Sequence, residues 1–312
     1  MSLQFNHTPV LLNEVVALFR ESGVTRFVDG TLGGAGHSSA ILEAIPEATM
    51  LGIDRDSAAI VAATERLRPF DGRAIIAKGE YADMASIAEA KGFTGVNGVL
   101  LDIGVSSVQI DSPERGFSFR FNGPLDMRMD ESSSLTAADI LNTYTEKQIA
   151  DILYEYGEEH RSRQIAKAIV KRRESKAWSE TGEFAELVSS IVGKASQHGL
   201  NPATRSFQAL RIAVNDELGQ LRRGLEAAYR LLEAGGLLAV ITFHSLEDRI
   251  VKTFLNEQAA ECVCPPGLPV CVCGKVKTMQ IITKKAIRPS DAETAANPRA
   301  ACSKLRAALK LK

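Results

Sequence analysis

Between Val10 and about Ile110 the sequence keeps one rhythm, in which short runs of β-prone apolar residues alternate with stretches of helical period. Thr25–Asp29, Thr49–Asp54, Ala74–Ala77 and Asn97–Ile103 read as strands; His37–Ala44, Ser57–Leu67 and Met84–Lys91 read as helices. A strand that is apolar at successive positions has to be covered on both faces. Parallel neighbours also need a crossover long enough to hold a helix. The rhythm therefore predicts an α/β domain built on a doubly wound parallel sheet.

After Ile110 the rhythm stops. Gly104–Asp130 reads as loop, with Pro113, Gly116, Gly123 and Pro124. From Leu135 to Val192 only helical patterns occur, at Thr136–Asn142, Lys147–Tyr156, Arg161–Arg173 and Gly182–Val192. A long helix over Ala203–Leu232 carries Phe207, Leu210, Val214, Leu218, Leu221, Leu225 and Ala228 on one face, with Gly235-Gly236 as its expected cap. Its apolar face can be covered by the parent domain or by a second copy in a homodimer. Leu237–Phe243 then returns as a strand and Glu247–Gln258 as a helix; Met279–Thr283 and Lys304–Leu309 can pair as a closing hairpin. A structureless connection as long as that between Ile103 and Leu237 is implausible, so a folded insert is expected. The expected division is 1–110 with 206–312 for the sheet domain, and 111–205 for an all-helical insert, the candidate RNA-recognition domain.

With 45% apolar and 24% charged residues among 312, the chain has globular composition, and disorder is not the default. Its formal net charge is −1, so any nucleic-acid partner has to meet positive charge gathered locally. Met1–Pro9 lacks the basic start and apolar core of a secretory leader, and the longest apolar run, Leu237–Phe243, is too short to cross a bilayer. A cytoplasmic protein with no membrane partner is expected. Five cysteines, an odd number without a leader, argue against a disulfide framework.

The sharpest local feature is Phe27-Val-Asp-Gly-Thr-Leu-Gly-Gly-Ala-Gly-His37, which follows the first strand and opens a helix. Gly33, Gly34 and Gly36 let the backbone turn tightly and approach a ligand. Asp54 closes the next strand, where a carboxylate can accept hydrogen bonds from ribose hydroxyls. A dinucleotide turn, G-x-G-x-x-G, would need glycine at Ser39. The arrangement Asp29-x-x-x-Gly33-x-x-Gly36 is closer to the turn of S-adenosylmethionine enzymes. A glycine turn without a ligand stays open as an alternative.

The chain closely resembles the bacterial ribosomal RNA small subunit methyltransferase H family, also called MraW. The resemblance rests on His7-Thr-Pro-Val-Leu-Leu12, Asp29–Ser38, Gly52-Ile-Asp-Arg-Asp56, Leu100–Ser107, Glu114–Phe119, Pro124–Asp130, Pro202–Ala209, Phe243–Arg249 and Asn297-Pro-Arg-Ala300. It implies a class I S-adenosylmethionine-dependent methyltransferase, Rossmann-like, with a helical insert. It implies methylation of the exocyclic N4 of a cytidine in the decoding region of 16S rRNA within the small ribosomal subunit. Matching positions imply that Ala35, Gly36 and His37 line the methionine and ribose end of the cofactor and that Asp54 holds the ribose. Tyr81, where relatives often carry Phe, would pack near adenine, and Asp102 and Gln109 would complete the site.

Methyl transfer to a cytosine amine needs an acceptor for its N–H groups, which helps the nitrogen pyramidalise and stabilises developing positive charge. Asp102, at the end of the fourth strand, is the candidate; here Ile-Gly-Val follows it, where many amino-methylating enzymes have two prolines and an aromatic. The alternative is that Asp102 only binds cofactor. His244 at the end of the fifth strand is a candidate for substrate contact or a structural histidine. Phe117 and Phe119, flanked by Arg115 and Arg120, can stack on an extruded base or seal the insert. Lys171, Arg172 and Arg173 belong to a basic segment, Arg161–Lys176, that can follow phosphates or simply be solvated. Cys262-Val-Cys264 and Cys271-Val-Cys273 offer four thiols for zinc, or remain reduced. The same cofactor acting on DNA or another RNA, a non-catalytic ribosome assembly factor, and a nicotinamide oxidoreductase are the competing functions.

Overall fold

A computed structural model of the chain describes residues 9–193, 201–265, 270 and 272–312. In chain order its elements begin with α1 (Leu12–Glu21), β1 (Arg26–Asp29), α2 (Gly36–Ala44), β2 (Thr49–Asp54), α3 (Ser57–Leu67), β3 (Ala74–Lys78), α4 (Met84–Ala90) and β4 (Val96–Asp102). Six helices follow: α5 (Ser107–Asp111), α6 (Ala137–Thr143), α7 (Glu146–Gly157), α8 (Ser162–Arg173), α9 (Thr181–Val192) and α10 (Thr204–Asn215). The remainder is α11 (Glu217–Leu231), β5 (Leu232–Thr242), α12 (Ser245–Ala259), β6 (Met279–Ile281), α13 (Asp291–Ala296) and β7 (Lys304–Lys310). Packing divides the chain into two units, Met1–Gly104 with Leu218–Lys312, and Val105–Glu217.

The first unit is an α/β sheet domain of strand order β3-β2-β1-β4-β5-β7-β6. Strands β1 to β5 are parallel, and β7 runs antiparallel between β5 and β6. The expected closing hairpin is β6 with β7. Strand side chains alternate between two apolar layers, as a pleated sheet requires. Phe27, Leu100, Ala239 and Ile241 pack with Phe19, Ile41 and Leu42 of α1 and α2. Val28, Leu101, Leu238 and Val240 pack with Met84, Leu221, Leu225 and Val251 of α4, α11 and α12. Each large side chain so buried contributes roughly 1.5–3 kcal/mol, which makes this two-sided burial the main force holding the sheet. The order of the strands reverses between β1 and β4, and at such a switch point a parallel sheet leaves a crevice beyond its carboxyl ends.

The second unit is helical. Helices α6 and α7 each start with a capping box, Thr136 with Asp139 and Thr145 with Gln148. Its core gathers Leu141, Ile149, Leu153, Ile165, Trp178, Phe184, Phe207 and Leu210. Trp178 is 1% exposed, yet its indole N–H is satisfied by the Ile169 carbonyl at 3.2 Å.

Two boundaries differ from the sequence reading. The helix expected over 203–232 is two helices, because Asp216 adopts the left-handed conformation, φ 46. Asn215 holds that break: its amide group donates to the carbonyls of Arg211 and Met127, and its side-chain oxygen accepts from the Met129 N–H. The unit boundaries fall between Gly104 and Val105 and, at this break, between Glu217 and Leu218, where the sequence pattern predicts 110/111 and 205/206. Gly235-Gly236 does not cap a helix. α11 ends at Leu231, and the glycines lie in an irregular stretch of β5 between the Val96–Leu232 and Gly98–Leu237 pairs. The apolar faces of α10 and α11 each pack into the core of their own unit. Among the described residues no helix is long and apolar enough to cross a membrane.

Candidate active site

Three parallel strands end in aspartates: Asp29 on β1, Asp54 on β2 and Asp102 on β4. Strand pairing aligns them along the crevice, and the loops after each strand knit them together. Asp29 is 2% exposed; one carboxylate oxygen accepts from the Ser38 hydroxyl at 2.6 Å, the other from the Thr31 N–H at 3.1 Å. Burial pushes its pKa up to about 6 against these hydrogen bonds. The Thr31 hydroxyl oxygen in turn accepts the Asp102 N–H at 2.6 Å, so the turn after β1 is tied to the end of β4.

The glycine turn is shaped for close approach. Ala35 sits at the N-cap of α2 in the left-handed region, φ 58, although it has a side chain. Such a conformation costs about 1–3 kcal/mol and persists where surroundings enforce it. Gly36 follows; a Cβ there would lie 2.4 Å from Pro9 Cγ, so glycine is required. Asp54 anchors the turn from β2. Its carboxylate accepts the Gly33 N–H at 2.7 Å on one oxygen and the Asp56 N–H at 2.8 Å on the other. Each oxygen keeps a second lone pair. Burial raises the pKa of Asp54, and the two main-chain N–H groups counter the shift.

His37 and Asp102 face each other. His37 is buried, and its Nε2 lies 2.9 Å from the Val10 carbonyl. A carbonyl only accepts, so Nε2 carries the proton and Nδ1 presents a lone pair. Burial lowers the pKa of His37, which keeps the ring neutral. Asp102 Oδ2 stands 3.5 Å from that Nδ1. Asp102 Oδ1 is buried and has no hydrogen-bond partner among the described residues. Burial, reinforced by the negative charge of Glu247, pushes the Asp102 pKa up to about 7. A carboxyl poised near neutrality with an unspent acceptor atom is suited to trading a proton.

Tyr81 lies just after β3, half-buried. Its ring lies against Gly224 of α11, where a Cβ would come within 2.4 Å of Tyr81 Cδ2. The neighbouring Glu80 is hydrogen-bonded by the Gln220 amide of α11 and lies 3.8 Å from Arg55. Gly224 and Gln220 escape sequence reasoning: their partners are far away in the chain, and nothing local marks them.

The other expected residues take different places. Gln109 belongs to the helical unit, where it is buried and its side-chain oxygen accepts the Ser106 N–H. His244 is the N-cap of α12: Nδ1 accepts the Glu247 N–H, while Glu247 accepts from the Phe243 and His244 N–H groups. In the helical unit Arg115 is buried, donating to the Arg128 and Met129 carbonyls. Phe119 packs edge-on against Phe207, 5.0 Å between centroids, and Phe117 is half-buried against the same core. Arg172 pairs with Glu183 at 2.8 Å and lies 3.8 Å from the Trp178 ring. Arg173 donates to the Leu141 and Tyr144 carbonyls and so caps α6. Each of these three guanidinium groups has a partner within the helical unit. Lys171 is exposed, as are Arg163 and Lys167, and four-residue spacing puts the three on one side of α8. Cys262, Cys264 and Cys273 come together, and Cys271 lies outside the described residues.

Residues 4–311 match the MraW methylase family. A relative named ribosomal RNA small subunit methyltransferase H from Carboxydothermus hydrogenoformans is 48% identical over 309 residues, covering 99% of both chains. Another of the same name from Heliobacterium modesticaldum is 49% identical over 311 residues, again 99% of each. Among solved structures, the O-methyltransferase TomG from Streptomyces achromogenes aligns with TM-score 0.43 at 10% identity, over 96% of this chain and 79% of that one. A match that runs through Asp29, Asp54 and Asp102 and spans both units places the chain in the MraW methylase family.

Proposed function

We propose that the protein methylates the exocyclic N4 of a cytidine in the decoding region of 16S rRNA, in the cytoplasm, with S-adenosylmethionine as donor. The observation that carries the reading is the buried, unpartnered Oδ1 of Asp102 at the mouth of the sheet. The rest of the crevice suits the donor. The Gly33–Gly36 turn lets a ligand approach main chain, Asp54 has lone pairs left for ribose hydroxyls, and the Tyr81 ring offers a flat apolar surface for adenine. The bound cofactor supplies an electrophilic methyl group on a sulfonium.

Asp102 acts on the amine. As a carboxylate it accepts an amine N–H, draws the nitrogen lone pair out of the ring and stabilises the charge that forms there. The proton the amine must lose passes to Asp102, whose raised pKa makes it a competent acceptor. His37 Nδ1, 3.5 Å away, steadies the protonated carboxyl. His244 and Glu247 set the start of α12, and the Glu247 charge helps hold Asp102 near neutrality. The exposed face of α8, with Arg163, Lys167 and Lys171, is where RNA phosphates would dock.

The relatives' names point to small-subunit ribosomal RNA as the acceptor class. The decisive test offers radiolabelled cofactor with unmodified small subunits, naked 16S rRNA and DNA, followed by nucleoside mass spectrometry. N4-methylcytidine from one of the rRNA substrates is the expected product. Label on DNA, on another base or nowhere would overturn the reading.

A further inference from the structure

The loop joining α12 to β6 is not part of the crevice, yet it gathers three thiols. It is pinched at its neck, where the Thr278 N–H donates to the Gln258 carbonyl at 2.9 Å and the Thr278 hydroxyl to Gln258 Oε1 at 2.6 Å. Beyond the neck the described residues of the loop form no apolar core. Val263 and Val272 are 61% and 78% exposed, and neither belongs to an apolar cluster. Beside these exposed valines, Cys262 is exposed and Cys264 and Cys273 are half-buried.

The three cysteines form a cluster organised around sulfur. The Sγ atoms of Cys262, Cys264 and Cys273 lie within 4.8 Å of one another. Cys262 and Cys273 are separated by 3.8 Å, a non-bonded distance. Zinc–sulfur bonds of about 2.3 Å in a tetrahedral site put neighbouring sulfurs roughly 3.8 Å apart. Main-chain N–H groups point at each sulfur as well: Cys264 N–H at Cys262, 3.3 Å, and Val263 and Val272 N–H at Cys273 and Cys264, both 3.5 Å. Donors aimed at coordinating sulfur are what orient and stabilise metal thiolates.

We propose that Cys262, Cys264 and Cys273 bind a soft divalent cation, with zinc as the natural choice, and that the metal cross-links this loop in place of an apolar core. The site is structural and separate from methyl transfer. Binding displaces thiol protons, so affinity rises with pH.

The test uses the full-length protein, purified under reductant without chelator, and zinc and cobalt as probes. Elemental analysis is expected to find about one zinc per chain, and cobalt substitution to give thiolate charge-transfer bands in the near ultraviolet. Cys262→Ser, Cys264→Ser and Cys273→Ser should each lower zinc affinity by at least about tenfold, while Cys302→Ser, outside the cluster, should not. Wild-type cobalt spectra keep the test valid even if a variant misfolds. Metal-free protein that gives no charge-transfer bands overturns the proposal. So does zinc retained equally by all four variants, or a mass two hydrogens lower that reports a disulfide within the trio.

Discussion

Polar groups are buried both at the carboxyl ends of the sheet and inside the helical unit, but what they leave unspent differs. Asn215 uses both donor and acceptor sides of its amide, and Arg115 and Arg173 each bond two carbonyls. Their satisfaction fixes a shape. Asp102, at the sheet, keeps one carboxyl oxygen without a partner and faces a neutral imidazole. A buried group left unsatisfied costs about 1–3 kcal/mol, a cost that a bound ligand can offset. Among the described residues, buried atoms of Arg172, Glu183 and Ser206 in the helical unit also lack a hydrogen-bond partner, so the contrast lies between Asp102 and the three satisfied side chains of Asn215, Arg115 and Arg173.

The sharpest way to break this contrast is Asp102→Ala. Methyl transfer should fall by roughly 10²–10³-fold, the usual loss for one acceptor or donor at developing charge, while calorimetric cofactor affinity changes little. An unchanged rate would remove Asp102 from the chemistry. Asp54→Ala should weaken cofactor binding by roughly tenfold to a hundredfold, since charge-assisted hydrogen bonds are worth about 1.5–3 kcal/mol; calorimetry reads it directly.

A pH series sharpens the same point. Burial raises the Asp102 pKa to about 7, so if the carboxylate form acts on the amine as proposed, turnover should rise with pH through that value, about tenfold per unit on the ascending limb. Asp102→Asn should flatten the limb. Stability should move oppositely. Asp29 and Asp102 have folded pKa values raised to about 6 and about 7, so the folded state holds more protons than the unfolded one between the ordinary carboxylate range and those values. Cofactor-free protein should lose stability as pH rises across that window, and Asp102→Asn should lessen the slope.

The helical unit should respond differently. Arg173→Met strips two carbonyls of their donor and should cost about 1–3 kcal/mol in denaturant unfolding, with turnover per folded molecule preserved. Lys171→Ala, a change on an exposed cation, should be the mildest: rRNA affinity falls a few-fold and the salt slope drops by about 1.

Much of the sheet is legible in the sequence because local signals coincide there. Asp29, Asp54 and Asp102 each end an apolar run, and a glycine turn follows the first. What stays hidden depends on partners far along the chain. Gln220 meets Glu80 across 140 residues, and Gly224 is needed only because the Tyr81 ring lies on it. The basic run of α8 misleads for the same reason. Arg172 and Arg173 look solvated in one dimension, but Glu183, Trp178 and the end of α6 occupy them. The helix break at Asp216 also defeats periodicity, which runs on unbroken through Val214 and Leu218 because the apolar spacing survives one left-handed residue.

The threading of β4 and β5 sets an order of assembly. They are neighbours in the sheet, Leu100 opposite Ala239 and Asp102 opposite Ile241, yet the whole helical unit is synthesised between them. Closing so long a connection is cheap, since each doubling of length adds only about 0.6 kcal/mol. The delay is what matters: a nascent chain can complete its contiguous helices while β1 to β4 still lack their neighbour. Ile103 gains its main-chain bond to Ile241 only when β5 arrives, and β5 gains its second flank only with β7, which follows later in the chain. The carboxylate of Asp102 is therefore fixed in place only once β5 has been made, and a ribosome-bound fragment ending before β5 has no finished crevice in which to capture cofactor.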